Sequence, residues 1–303
     1  MPTSISNGES GLSVRTKLNT IWTDLVTQSI SSETAGISNF IAGVNAGNSI
    51  LSGGNYNVVV GDEAGNDITT GDYNTAVGYA AADKVSTGEL NTGLGAYALS
   101  ADTLGKRSVA VGASALEAQN FTTATTAYNT AVGYGAGQSV TTGIENTIIG
   151  GNAGDALTDA DFNVAVGYGA LTSDTLGSRS TAIGRSALLS QNFTTATNSY
   201  NTAVGYGAGL SVTTGVRNTL IGGLSGDALT TGDNNVALGF NALSADTQGD
   251  RNIAIGTDAL SAQNFTTSTD SYNTAIGFQS GVSVTTGLQN TLIGGLAGDS
   301  LTD

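Results

Sequence analysis

Asn129-Thr130-Ala131-Val132-Gly133-Tyr134-Gly135-Ala136-Gly137 is one copy of a short pattern that runs from Asn57 to Asp303 and decides the fold. In general form it reads Asn or Ser, Thr or Val, Ala, then Val, Ile or Leu, then Gly, two variable residues, Ala, and Leu or Gly. Copies open at Asn57, Asn74, Asn91, Ser108, Asn129, Asn146, Asn163, Ser180, Asn201, Asn218, Asn235, Asn252, Asn273 and Asn290. Successive openings are spaced 17, 17, 17 and 21 along the chain and the series then repeats, so four small copies make a unit of 72. A period this short marks a solenoid, in which one coil cannot bury its own apolar face and must stack on its neighbours.

The residue types choose among solenoids. The fourth position is always Val, Ile or Leu (Val60, Val77, Leu94, Val111, Val132, Ile149 and onward), which predicts a strand whose large side chain enters a thin core. The fifth is Gly in every copy, including Gly61, Gly78, Gly95, Gly112, Gly133 and Gly150. A Gly fixed at a strand end predicts positive φ or a site with no room for a Cβ against the next coil. Ala follows three residues later, replaced only by Ser225 and Ser280, and predicts close backbone approach across the coil or across a subunit boundary. Fixed Gly and β-branched runs would each destabilise a helix, so a helical repeat is excluded. The expected class is all-β: a parallel β-solenoid whose coil lengths follow the 17/17/17/21 series.

Composition excludes several functions. The 303 residues include 44 Gly and carry a formal charge of −15, with nine Lys and Arg against 24 Asp and Glu. So few scattered cations cannot displace counterions along a phosphate backbone, which argues against nucleic acid as a partner. There is no Cys and no His, hence no thiolate chemistry and no imidazole ligand or base. No apolar run approaches the length of a membrane span, and residues 1–5 lack the charged start of a secretory leader, so membrane insertion is not expected.

Three segments follow in chain order. Residues 1–36 precede the repeat, and Leu18, Ile21, Trp22, Leu25 and Val26 fall at helical spacing behind a candidate N-cap, Ser13. A helix this short needs a partner surface. It either caps the solenoid or bundles with copies of itself and docks on a larger assembly, with Trp22 as anchor. Residues 37–56 are a worn copy, with Asn39, Gly43, Ala46 and Gly47 at the expected offsets, and read as a capping coil. Residues 57–303 form a shaft of 14 coils.

The fourth coil of each unit carries the four extra residues, and these predict loops protruding one above another about 19 Å apart. Their aromatics are Phe121 and Tyr128, Phe193 and Tyr200, Phe265 and Tyr272. They read as contacts to a neighbouring chain or turn, or to a ligand. Asp102, Asp174 and Asp246 keep the same long period, each followed five residues later by Arg107, Arg179 or Arg251, and Asp83, Asp155, Asp227 and Asp299 form a second file. Asp is foremost a turn residue; no calcium loop and no acid pair placed for catalysis is discernible. Neither an enzyme nor a metal or other cofactor is expected. The opening Asn residues predict amides bonding up and down the stack. The Thr that follows (Thr75, Thr130, Thr202) shares its column with Val58, Val109 and Ile253, so a uniform ice-binding hydroxyl face is not expected.

Two kinds of stretch resemble known families. Ser108-Val109-Ala110-Val111-Gly112-Ala113-Ser114-Ala115 and Asn252-Ile253-Ala254-Ile255-Gly256-Thr257-Asp258-Ala259 resemble the head repeats of trimeric autotransporter adhesins. That resemblance implies left-handed parallel β-rolls joined as trimers, although both coil lengths here exceed that family's unit. Gly8-Glu9-Ser10-Gly11-Leu12-Ser13-Val14-Arg15-Thr16-Lys17-Leu18-Asn19 resembles the leading segment of bacteriophage tail-fibre and other virion structural proteins, whose shafts also use Asn-Thr-Ala-Val-Gly arrays. Together they imply a non-enzymatic homotrimeric fibre on the exterior of a phage particle. Residues 1–36 would bind other virion proteins through Leu18, Ile21, Trp22 and Leu25, and the solenoid would serve adhesion to a host glycan or receptor. The alternative is a bacterial surface adhesin head; a polysaccharide-degrading tailspike would need convergent acids. A thin core also favours trimerisation physically, with the Ala and Gly files expected to pack between chains. The last copy opens at Asn290, so Asp303 falls inside a coil, and the natural polypeptide is expected to continue beyond it.

Overall fold

The computed structural model describes residues 36–303; the expected helix around Leu18–Val26 lies outside them. Fifteen three-residue strands, from Phe40–Ala42 to Thr291–Ile293, form one parallel sheet whose order follows the chain. Each strand pairs with the strand one coil on, as Thr130–Val132 pairs with Thr147–Ile149 in the register Thr130 to Thr147. The described residues are therefore an all-β parallel β-solenoid of about fifteen turns. Residues 37–56 belong to the same stack, since Phe40–Ala42 pairs with Val58–Val60. Each of the longer coils adds a two-strand parallel patch: Gly105–Lys106 with Thr125–Thr126, Gly177–Ser178 with Thr197–Asn198, and Gly249–Asp250 with Thr269–Asp270.

The strand phase corrects the sequence reading. The third motif position, not the fourth, faces the core: Ala131, Ile148, Ala165, Ala182 and Ala203 are fully buried. The fourth points outward, as at Val132 and Ile149. The reason lies in how the thin core is filled. The residue four places after the fixed Gly adopts left-handed backbone and aims inward, and it is Gly wherever the strand centre is large. Where the strand holds Ile148, that place is Gly154, on which a Cβ would meet Leu157 Cδ1 at 2.9 Å. Where the strand holds Ala165 or Ala182, the place is Leu171 (φ 56) or Leu188 (φ 48), both fully buried. Gly209 yields to both neighbours, since its Cβ would lie 2.8 Å from Leu220 Cδ1 and 2.9 Å from Leu188 Cδ2. A large strand residue and a large left-handed residue cannot share one coil at interior packing density.

The Ala file after the fixed Gly is also internal. Ala64, Ala81, Ala98, Ala115 and Ala136 are fully buried within the chain, so the small residues pack inside the coil and not between subunits. Ala131 and Ala203 belong to the same interior.

The fixed Gly has both properties expected of it. At Gly112 φ is +128, and a Cβ would sit 2.4 Å from Gly133 O and 2.6 Å from Gly133 C in the next coil. Gly61, Gly78, Gly95, Gly133 and Gly150 repeat this geometry, each facing the Gly above.

Candidate functional site

Two features of the coil are candidates for function: a buried polar ladder and an exposed flank. The ladder begins with the Asn column. In the shorter coils from Asn57 to Asn273, each Asn Oδ1 accepts the backbone N–H of the residue one coil on, as Asn129 Oδ1 does from Asn146 N at 2.9 Å. Each Nδ2 donates to a carbonyl 14 residues ahead, as Asn129 does to Gly143 O at 2.7 Å. The amides thus tie side chain to backbone of the next coil more than amide to amide. They also fix the residue before each Asn, which is left-handed at Tyr56 (φ 58), Tyr128 (φ 51), Glu145 (φ 55) and on to Gln289 (φ 56). Such backbone costs a non-glycine residue about 1–2 kcal/mol, offset here by buried hydrogen bonds worth about 1 kcal/mol each.

The ladder would break at Ser108 and Ser180, whose side chains are too short to reach across the longer coil. Gln119 bridges the gap: its Nε2 donates to Ser108 Oγ at 2.9 Å and to Asp102 Oδ2 at 2.6 Å, and its Oε1 accepts from Asn129 Nδ2 at 2.9 Å. Gln191 does the same with Ser180, Asp174 and Asn201. In the third unit Asn252 replaces Ser, and Gln263 binds Asp246 and Asn273. Asp102 Oδ1 takes the N–H groups of Gly105 and Phe121, which would otherwise be orphaned where the extra residues enter. Burial pushes the Asp102 and Asp246 carboxyls above the ordinary value, opposed by the bonds from Gln119 and Gln263 and from backbone N–H groups. Both carboxylate oxygens and both ends of the amide are engaged with protein, so the cluster is a device for holding the insertion and offers no group to a substrate.

The inserted residues project at Thr122, Thr123 and Ala124, which are exposed. The aromatics divide. Phe121, Phe193 and Phe265 do not protrude but fold inward and are buried, held by the backbone bond of each to Asp102, Asp174 or Asp246. Tyr128, Tyr200 and Tyr272 are exposed.

Those three Tyr lie on the exposed flank. The outward face of the long sheet carries Thr or a β-branched residue at the second motif position and Val, Ile or Leu at the fourth; Leu94, Val132, Ile149, Ile183 and Leu238 are exposed large hydrophobics. On either side runs a column of long side chains. The column before Asn includes Tyr56, Tyr73, Phe162 and the three Tyr; the column after the fixed Gly includes Tyr79, Tyr134, Tyr168, Tyr206, Phe240 and Phe278. Within a column the side chains stack. Tyr56 and Tyr73 rings are 4.9 Å apart, and Arg179 lies over Phe162 at 4.7 Å and over Tyr200 at 5.9 Å. Arg107 lies over Tyr128, Arg251 over Tyr272, and Arg185 over both Tyr168 and Tyr206. Every Arg of the described residues stands in one of these two columns. The long-period Arg positions noticed in the sequence are thus ring partners and not partners of the Asp five residues earlier.

Among the described residues no group of three or more metal-ligating side chains gathers, and no helix is long and apolar enough to cross a membrane. These features define the class: a parallel β-solenoid with a buried polar ladder and one exposed flank edged by aromatics and arginines. No protein-family model matches the chain, and no curated protein or solved structure matches it.

Proposed function

We propose that the chain is a non-enzymatic structural fibre of a phage virion, a homotrimer of left-handed solenoids. Residues 1–36, with Leu18, Ile21, Trp22 and Leu25, attach it to other virion proteins, and the shaft projects from the particle toward a host glycan or receptor. The observation that carries the assembly is the apolar flank. Fifteen strands at about 4.8 Å spacing make it about 70 Å long, and with strands about 10 Å wide it offers about 700 Å² before the aromatic columns are counted. Thr fills most of its second-position column, so the apolar part is narrower. With the flanking rings it still forms a continuous exposed apolar surface of the kind that marks an interaction site, and about 800 Å² per partner is usual for a stable interface. The virion assignment is carried by the resemblance of Gly8–Asn19 to fibre leading segments. The second reading, a bacterial surface adhesin head, is favoured by the Ser108–Ala115 and Asn252–Ala259 stretches and shares the trimer.

Two measurements test this. Sedimentation equilibrium of the purified chain should return three times the chain mass of 30.0 kDa; a stable folded monomer would remove the fibre reading. Mass spectrometry of purified particles separates the two readings, since an adhesin head is absent from virions and present on cell surfaces.

A further inference from the structure

We infer that the three chains meet edge to edge and coil against identical coil, the column before Asn on one chain packing against the column after the fixed Gly on the next. This rests on the trimer proposed above and goes beyond it by naming which side chains touch.

The observation is a matching of sizes within one coil between two columns that do not touch in the chain. A three-residue strand, about 10 Å of backbone, separates them, and every ring contact of either column runs up or down the stack, none across. Yet the two columns are correlated. Where the first holds Tyr128 or Tyr200, the second holds Tyr134 or Tyr206 in the same coil, and Tyr272 is matched by Phe278. Where the first holds a long charged side chain, the second is small: Arg107 with Ala113, Glu145 with Gly151, Arg217 with Gly223. Arg179 with Arg185, Tyr56 with Asp62 and Asn234 with Phe240 depart from the pattern, and the two Arg lie over rings of their own columns.

Duplication of the 72-residue unit explains why the matches recur but not why a coil should hold two aromatics, or one long and one small residue, at places that never meet. A parallel threefold arrangement supplies the meeting. Its interfaces are heterologous, so each chain turns its left edge to its neighbour's right edge, and the axis keeps equivalent coils level. Aromatic then meets aromatic, and a long cation or anion crosses a gap left by Ala or Gly. An antiparallel twofold pair would set each column against itself with coil order reversed, and the level match would have no cause.

The chain has no Cys, so paired thiols report the contact without background. In Arg107→Cys/Ala113→Cys, both positions are at least partly exposed, so the solenoid should still fold. A short bifunctional thiol crosslinker should turn most of the chain into a covalent closed trimer on denaturing electrophoresis. Either single variant should lose that band, as should the offset pair Arg107→Cys/Gly151→Cys, two coils apart. Tyr128→Cys/Tyr134→Cys is the independent second pair. A trimer by sedimentation that crosslinks through the offset pair, or through neither level pair, overturns the edge-to-edge contact and leaves the trimer standing. A monomer by sedimentation overturns the trimer itself, and the contact with it.

Discussion

Gly112→Ala tests the stacking geometry most directly. The added Cβ would lie 2.4 Å from Gly133 O and 2.6 Å from Gly133 C, both backbone atoms of the next coil. Restoring an ordinary contact of about 3.4 Å requires the two coils to part by about 1 Å at a place where strands sit about 4.8 Å apart. That movement strains the bonds beside it, Gly133 N to Val111 O at 2.8 Å among them. Weakening one or two such bonds costs about 1–2 kcal/mol, and holding Ala at a φ near +128 adds about 1–3 kcal/mol. The expected loss is about 2–5 kcal/mol. Gly169→Ala is the control: φ is +62 and a Cβ would meet nothing within 4 Å, so only the left-handed penalty of about 1–2 kcal/mol remains. Denaturant unfolding gives the global difference, and amide exchange gives the local one. Exchange should accelerate in the coils around 112 and 133 and stay unchanged several coils away, because solenoid repeats contact only neighbours. Equal, small losses at Gly112 and Gly169 would refute the claim that the glycine column has no room for a side chain.

Three further outcomes are expected. Leu220→Ala, at a fully buried strand centre beside Gly226, should cost about 2–5 kcal/mol, whereas Ala131→Leu should overpack the coil that already holds Val140 and cost about 1–3 kcal/mol; both are read by denaturant titration. Because burial raises the folded carboxyls of Asp102 and Asp246, their stabilising contribution is full below the unfolded value and is lost as pH rises through the folded one. Thermal melting from acid to neutral pH should therefore show the wild type losing stability relative to Asp102→Asn/Asp246→Asn as pH increases. Val132→Lys on the outward sheet face should leave the circular dichroism of the solenoid intact while shifting sedimentation from trimer to monomer, since an unpaired buried charge costs on the order of several kcal/mol.

The period, the parallel stacking and the role of the fixed Gly were legible in the sequence because each is a property of the backbone repeated at one spacing. Strand phase was not. Val132 and Ala131 are adjacent, and the rule that large β-branched residues fill a core assigns Val132 to the interior. The signal that would have reversed it is the reciprocity between Ile148 and Gly154 on one side and Ala165 and Leu171 on the other, visible only when positions six residues apart are compared coil by coil. The buried Asp–Gln pair was hidden for a related reason. Asp102 and Gln119 occupy the column filled elsewhere by Val140 and Leu157, so an apolar column had to be recognised before its polar exceptions could mean anything. Phe121 looked like part of a protruding loop because an insertion normally projects, but the buried Asp102 carboxyl draws the Phe121 N–H inward and the ring follows.

The inverted phase bears on function. Each coil closes around its own Leu, Ile or Val, at the strand centre, four residues after the fixed Gly or seven residues after it, and has little need of a partner to complete its interior. The Val, Ile and Leu of the fourth position are then free to line the outside in every copy. If the interior alone were selected, those positions could be polar, as outward positions of a half-buried strand commonly are. They are apolar in all 14 copies, and the columns beside them concentrate aromatics and every described Arg in a chain of net charge −15. The acidic residues stand mostly on the remaining sides, where like charge opposes non-specific association. One 72-residue period therefore encodes two packing problems. Complementary sizes inside the coil fill a thin core within each chain, and in the trimer proposed above matched sizes across the flank would fit one chain to the next.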